Sequence, residues 1–312
     1  FDRRLAMAWD SERWPELVHV EERFFRQDWA SLTTYAKTNE RYYPAAQKYY
    51  QSLRDGNLNQ APATGTPLVE NAAYWAACQT EYASAEWLTG TAYAVGDQRW
   101  YAPTNAHYQC HTAHTSSGTL TPDAVGANER WGVLTRFDRY VAYEQTGKTA
   151  IAEVFTAADD NRRLTTRLEQ VRFELSDAGV QIVSAVNSVW LEYRVRRPLL
   201  KGEMFSATAT YGLGDQAYFT VTATGAGNFY DCDTATSAGE SPSSAAAKWN
   251  VVELPYILSG YLINAVYGDW LRYDGQEDKA RAMEGFSAGM LELEADRLFR
   301  QQGQTRRLRV ER

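Results

Sequence analysis

The 312-residue sequence has few cysteines and no long hydrophobic run. Cys78, Cys110 and Cys232 are an odd number and lie far apart, so we expect no disulfide framework and folding in a reducing compartment. No stretch approaches the roughly 20 apolar residues that span a bilayer, which predicts a soluble protein with no membrane partner. The first residue is Phe1 rather than Met, and no signal-peptide pattern follows it, so we expect a missing or processed N-terminus.

Basic charge and methionine are also scarce. The sequence has 32 Lys and Arg against 39 Asp and Glu, a net charge of −7, which argues against a protein that wraps nucleic acid. Only 4 Met are present beside 10 Trp and 20 Tyr, a balance that favours aromatic-rich β modules over a purely helical protein.

One short stretch, "HYQCHTAHTSSG", contains three of the four histidines and one cysteine. His107, Cys110, His111 and His114 carry imidazole and thiol groups, the ligand types of zinc and copper. The hypothesis of a metal site can be tested against the rest of the sequence, because a structural metal site should recur wherever the same module recurs.

The sequence contains an internal repeat. Residues 79–135 and 205–252 are two copies of one pattern, and a more divergent copy occupies 29–78. We call them the first, second and third modules in chain order. Each alternates aromatic residues with Gly, Asp, Pro and Ser, the pattern of short antiparallel strands joined by tight turns. The aromatic positions expected to form the small cores of the second and third modules are Tyr93 and Tyr211, Tyr108 and Tyr230, and Trp131 and Trp249.

The repeat argues against a metal site. The third module has Asp233 and Thr236 where the second has His111 and His114, and the first has Ser52 in place of the cysteine. We therefore interpret the histidines as a polar strand face and predict no bound metal and no cofactor.

"TAYAVGDQRWY", followed by "HYQCHTAHT" and "RWGVL", resembles the carbohydrate-binding modules of families five and twelve. The resemblance implies a small β fold for each module. It also implies a sugar-stacking aromatic pair directly after the Tyr-x-Cys strand, but those positions hold 111–114 and 233–236, which are His-Thr-Ala-His and Asp-Thr-Ala-Thr. The fold resemblance therefore stands, and glycan binding is left as an alternative.

The segments around the modules differ in periodicity. Residues 1–28 predict a helix, with Ser11 as a candidate N-cap and an apolar face formed by Leu17, Val20 and Phe24. Residues 136–204 alternate with period two and predict a β-hairpin or small sandwich, with "SDAG" (176–179) as its turn.

The C-terminal segment predicts a helical hairpin over 253–303. Its first helix opens at Pro255, closes at Asp274-Gly275 and is apolar on nearly every side, so it should be buried or in a subunit interface. The second helix carries Met283, Phe286, Met290 and Leu293 at a spacing that predicts its packing face. A basic tail, 304–312, follows. The residues expected at interfaces are Leu258, Tyr261, Leu262, Trp270, Arg306, Arg307 and Arg309.

These patterns together predict an α+β fold, with a helical framework from the two terminal segments and small antiparallel β modules inserted between them. The expected segments are 1–28 helical, 29–78, 79–135, 136–204, 205–252, 253–303 and 304–312. No Gly-x-Ser-x-Gly, phosphate-binding loop or His-Glu-x-x-His occurs, and we expect no enzyme and no catalytic residue.

The "GDQ" modules, together with the C-terminal hairpin and its "YDGQEDKA" connection (273–280), resemble virion proteins of tailed bacteriophages, in particular head-to-tail adaptor or neck proteins. The resemblance implies a ring of subunits, commonly twelve, assembled in the host cytoplasm and seated beneath the portal protein. It further implies that the helices form the ring wall, that the tail docks into the portal and that the modules project outward. The alternative is a soluble or virion-attached carbohydrate-binding protein that engages surface glycans.

Overall fold

The computed structural model describes residues 1–145, 148–161, 170–221 and 227–301. These ranges form a mixed α+β fold. The helices are α1 (Asp2–Ser11), α2 (Ser259–Tyr273) and α3 (Glu277–Gln301). None of the helices within these ranges has both the length and the hydropathy needed to cross a membrane.

The strands are short. The first eight are β1 (Val18–Phe24), β2 (Thr34–Tyr35), β3 (Glu40–Tyr43), β4 (Lys48–Ser52), β5 (Asn57–Leu58), β6 (Ala63–Thr64), β7 (Val69–Glu70) and β8 (Trp75–Ala77). The next five are β9 (Ala92–Tyr93), β10 (Gln98–Tyr101), β11 (Ala106–Cys110), β12 (His114–Thr115) and β13 (Trp131–Leu134). The remaining nine are β14 (Tyr140–Ala142), β15 (Ile151–Ala158), β16 (Phe173–Leu175), β17 (Gly179–Ile182), β18 (Ser188–Val195), β19 (Glu203–Met204), β20 (Gln216–Thr220), β21 (Gly227–Cys232) and β22 (Trp249–Val251).

The chain divides into two compact units. Unit 1 consists of Phe1–His19, Thr149–Glu153 and Tyr193–Arg312, and it contains the helices and the third module. Unit 2 consists of Val20–Lys148 and Val154–Glu192, and it contains the first and second modules. Each unit thus combines separate stretches of chain, a grouping that the linear order of segments does not predict.

The three modules share a three-stranded antiparallel arrangement, which the third module extends by β19, parallel to β20. The central sheets have the orders β3-β4-β8, β10-β11-β13 and β19-β20-β21-β22. In each sheet the closing tryptophan pairs with the same position of the middle strand: Trp75 with Ser52, Trp131 with Cys110, and Trp249 with Cys232. The strand registers therefore confirm the sequence alignment of the repeat at these positions.

The Gly-Asp motif of the repeat forms a side-chain-capped turn. Asp97 accepts a hydrogen bond from the Ala94 amide at 3.0 Å, and Asp215 accepts one from the Gly212 amide at 2.7 Å. The glycine before each aspartate, Gly96 or Gly214, has a φ of 96° or 85°, in the left-handed region that favours glycine. The motif thus recurs because the turn that leads into β10 or β20 requires both residues.

In each module, one tyrosine binds the backbone through its hydroxyl group. Tyr35 accepts a hydrogen bond from the Ala30 amide at 2.7 Å, Tyr93 accepts one from the Leu88 amide at 2.8 Å, and Tyr211 accepts one from the Ser206 amide at 2.8 Å. Each ring also lies edge-on to the tryptophan of its own module, with centroids 5.0–5.3 Å apart. One side chain therefore supplies both core area and a hydrogen bond to the backbone.

Within unit 2, the first and second modules pack against each other through equivalent glutamines. The Gln51 side chain donates to the Val133 carbonyl at 2.5 Å, and its oxygen accepts from the Thr135 amide at 2.9 Å. The Gln109 side chain donates to the Trp75 carbonyl at 3.2 Å. Both glutamines are buried, and each satisfies backbone groups of the other module's closing strand, so the pairing is reciprocal.

The predicted helix over 1–28 is correct only for its first part. α1 ends at Ser11, whose hydroxyl donates to the Ala8 carbonyl at 2.9 Å, so this residue closes a helix rather than starting one. Residues 18–24 form β1, which lies beside β18 in the three-stranded sheet β1-β18-β15. The spacing of Leu17, Val20 and Phe24 fits a helix, but β-branched residues and pairing with a neighbouring strand stabilise the extended form.

The period-two pattern of 136–204 correctly predicts its strands. β16 and β17 form the expected hairpin, and the Ser176 amide donates to the Gly179 carbonyl at 2.9 Å across the "SDAG" turn. In β18 the alternate residues Val189, Leu191 and Tyr193 are fully buried. The strands of this region do not pair only with one another, since β1 pairs with β18.

The closing tryptophans allow a test of the repeat. Trp131 is 1% and Trp249 is 5% exposed, so we expect Trp131→Ala and Trp249→Ala each to cost about 3–5 kcal/mol of stability. Limited proteolysis read by mass spectrometry should show cleavage confined to the module that carries the substitution. Trp270→Ala removes a 54% exposed indole and serves as the control, which should leave the cleavage pattern unchanged. Unchanged resistance in the Trp131 and Trp249 variants would contradict the assignment of these indoles as cores.

Candidate assembly surface

The histidines of the 107–114 stretch have separate partners. His107 is hydrogen-bonded to the Ser84 hydroxyl at 2.6 Å. His114 accepts a hydrogen bond at Nε2 from the Trp131 indole at 3.2 Å, and its Nδ1 lies 2.9 Å from the Thr112 carbonyl, the geometry of a neutral imidazole with the proton on Nδ1. The imidazole of His114 therefore packs against the core of the second module and satisfies the Trp131 indole.

His111 is buried between charged residues of unit 2. Its side chain is 3% exposed and its Nε2 has no hydrogen-bond partner. Burial lowers the pKa of His111 to about 4, and the positive charge of Arg54 adds to the effect. Leu53, the fully buried residue at the same position of the first module, shows that this position is part of an apolar packing surface.

The side chains of this stretch are thus held by separate contacts. Within the described residues, no three His, Cys, Asp or Glu side chains are grouped so that they could hold a metal ion. The positions that correspond to a sugar-stacking aromatic pair hold His111, which is buried, and His114, which is bonded to Trp131.

His111 predicts an acid-sensitive stability. An unfolded chain binds the proton near pH 6.5 and the folded chain near pH 4, so stability is complete above pH 7 and declines as the pH falls from 6.5 toward 4, by up to about 3 kcal/mol. His111→Leu, which copies Leu53, should flatten this decline in urea unfolding measured at pH 7.5, 5.5 and 4.5. His19→Gln, at an exposed histidine, is the matched control. An equal decline in wild type and His111→Leu would show that His111 does not cause it.

The predicted core residues of the modules lie where the repeat places them. Tyr93, Tyr108 and Trp131 are buried together with Cys110. In the third module Trp249 is buried, and Tyr211 and Tyr230 are half-buried against it.

The C-terminal segment forms the predicted antiparallel hairpin. α2 ends at Tyr273, and Gly275, with a φ of 78°, makes the turn into α3. Two glycines of α2 permit the close approach of the helices. A Cβ at Gly268 would lie 3.4 Å from the Ala280 carbonyl oxygen and 3.5 Å from Met283 Cβ, and a Cβ at Gly260 would lie 2.8 Å from Met290 Cε.

Three of the residues predicted at subunit interfaces are instead internal. Leu258, Tyr261 and Leu262 are buried in the core of unit 1, where they pack with α1 and α3. The prediction is wrong for them because one side of α2 is covered by α1, a contact that the sequence does not reveal. Of the four predicted residues in or just before α2, Trp270 alone is exposed. Arg306, Arg307 and Arg309 lie outside the described residues.

The predicted packing face of α3 is also partly wrong. Phe286 and Leu293 are 57% and 47% exposed, whereas Ser287 is 2% exposed. The buried positions, about one third of a turn away, are Ala280, Ser287, Ala295 and Leu298. Met283 and Met290 of the predicted stripe do meet α2, at Gly268 and Gly260, but the most deeply buried side of α3 is rotated from this stripe and consists mainly of small residues.

Large apolar side chains remain exposed on the outer sides of both helices. On α2 they are Ile263, Tyr267 and Trp270, which are 70%, 48% and 54% exposed. Their spacing of four and three residues places them on one face, and the rings of Tyr267 and Trp270 stack with centroids 5.8 Å apart. With Phe286 and Leu293 they offer roughly 500 Å² of apolar surface, at about 200 Å² for a whole aromatic side chain. Patches of this size mark interaction sites.

A partly exposed ion-pair network fixes this hairpin on α1. The Arg4 guanidinium donates to Asp269 of α2 and to Glu284 of α3, at 2.8 Å and 2.7 Å. Arg272 donates to the other oxygen of Glu284 at 2.7 Å. Hydrogen bonds from Arg272 and Arg4 lower the pKa of Glu284 to about 2. The exposed apolar residues therefore stand on helices held in a defined orientation.

Comparison with protein-family models, with curated proteins and with solved structures found no match for this chain.

Proposed function

We propose that the chain is a structural component of a tailed-phage virion, a head-to-tail adaptor that assembles as a homo-oligomeric ring beneath the portal protein. The observation that carries the proposal is the exposed apolar surface of the C-terminal hairpin, with Ile263, Tyr267 and Trp270 on one helix and Phe286 and Leu293 on the other. A surface of this size on an oriented helical pair favours a permanent protein contact over a solvated exterior.

The modules support the same proposal. Each has its own tryptophan–tyrosine core, so the third module can extend from an assembly without a partner to complete its interior. In this proposal the modules project outward, and the basic segment 304–312 docks on the portal or on another neck protein through bidentate arginine contacts.

Glycan binding remains the alternative function, because the modules resemble carbohydrate-binding modules. The buried state of His111 and the inward bond of His114 argue against it, since a sugar platform needs exposed rings at those positions.

Complementation of a phage that lacks the gene tests the proposal. We expect the deletion to yield filled heads without tails, and the wild-type gene to restore tailed, infectious particles that contain the chain. Ile263→Ser combined with Trp270→Ser should fail to restore them, because it removes the apolar surface without touching the core. Leu175→Ser, at a residue 60% exposed in unit 2, is the matched control and should restore infectivity fully.

Two results would contradict the proposal. Tailed and infectious particles from the deletion phage would show that the chain is not an adaptor. The carbohydrate-binding alternative would be favoured if a monomeric chain bound specific glycans on an array and the hairpin variants bound them equally well.

A further inference from the structure

The exposed apolar residues of the hairpin lie on one side of it. Arg4 of α1 bonds to Asp269 and Glu284, which therefore mark the sides of α2 and α3 that meet α1. At about 100° per residue, the exposed apolar residues of α3 lie about 160–180° around the helix from Glu284, and those of α2 lie about 100–160° from Asp269. They are thus turned away from α1. We call this set of residues the apolar face: Ile263, Tyr267, Trp270, Phe286 and Leu293.

The two halves of the apolar face adjoin where the helices touch. Gly260 of α2 meets Met290 of α3. Tyr267 lies about 20° around α2 from Gly260, and Phe286 lies about 40° around α3 from Met290, so both rings stand beside the helix crossing. The half-buried Met283 and Met290 fill the space between the helices. The apolar face is therefore one continuous surface.

The apolar face carries no charged side chain. α2 has only two charged residues, Asp269 and Arg272, and both are bound in the ion-pair network of the hairpin. On α3 the charged residues of this side are Lys279 and Arg297, one at each end, with no charged residue between them. An uncharged apolar centre with charge at its rim is the composition of a protein–protein interface.

We infer that the apolar face of one copy packs on the apolar face of a second copy, so that the free chain is a two-fold pair. The four helices of two hairpins then enclose a shared core, as in a four-helix bundle. This inference goes beyond the proposed function, because it concerns the chain before it meets a ring neighbour or the portal protein. Ring assembly exchanges the paired copy for a neighbour.

Area and charge favour a second copy as the occupant. Homodimer interfaces are about 65% apolar, so roughly 500 Å² of apolar surface belongs to a patch of about 800 Å², the share of one partner in a stable interface. A face with a net charge would repel its own copy, whereas an uncharged face meets its copy without that cost. A charged partner, such as a nucleic acid, finds no counter-charge on this face.

Charge substitution on both helices tests the pairing. By light scattering, the purified wild-type chain should have twice its chain mass of 35.3 kDa. Ile263→Lys combined with Phe286→Lys should be monomeric, because like charges then face each other across the two-fold contact. Ile263→Glu combined with Phe286→Glu should be monomeric for the same reason. An equal mixture of the two variants should regain the double mass, because each lysine then meets a glutamate.

Leu175→Lys is the matched control. It adds the same charge at a residue 60% exposed in unit 2 and should pair as wild type does. All variants should keep the circular dichroism of wild type, since the substituted positions are exposed.

Two results would overturn the inference. One is a wild-type chain with the mass of a single copy. The other is a mixture that stays monomeric although both variants are folded, which would show that the apolar face meets a different surface. Tailed particles from the deletion phage would contradict the proposed function alone, because the pairing is measured on the purified chain.

Discussion

The burial of one indole against a three-stranded sheet is the constraint on which each module depends. A module of about fifty residues has too little interior for a broad aliphatic core, so a few rings must supply most of the apolar area. Trp131 fills this role beside Cys110 and Tyr93. The tyrosine hydroxyl and the Gly-Asp turn then satisfy the backbone at the two ends, which explains why these residues recur together.

In the C-terminal hairpin, close packing leaves large apolar side chains exposed instead of burying them. Gly260 and Gly268 let α2 approach Met290 and Met283 of α3 closely. Phe286 and Trp270 remain exposed. The arrangement stabilises a narrow hairpin, which Arg4 holds on α1. It also exposes apolar area that contributes nothing to the stability of a single subunit. The assembly role that we propose gives this area a function.

The sequence predicts the modules well because the repeated residues are those with a fixed geometric task, as in the pairing of Cys232 with Trp249. It predicts β1 poorly, since Leu17, Val20 and Phe24 satisfy helical spacing and only the distant β18 selects the strand. The reciprocal contacts of Gln51 and Gln109 likewise depend on which modules become neighbours. The exposed surface of the hairpin could be found only in part, because hydrophobicity alone does not tell a core residue such as Leu262 from a surface residue such as Ile263.

Hydrogen–deuterium exchange of the purified chain at low and high concentration tests the central claim most directly. The account predicts that assembly slows exchange in α2 and α3, around Ile263 to Trp270 and Ala282 to Leu293, while exchange in the cores of the three modules stays unchanged. Slower exchange confined to the modules, or none anywhere in a chain that assembles, would contradict it.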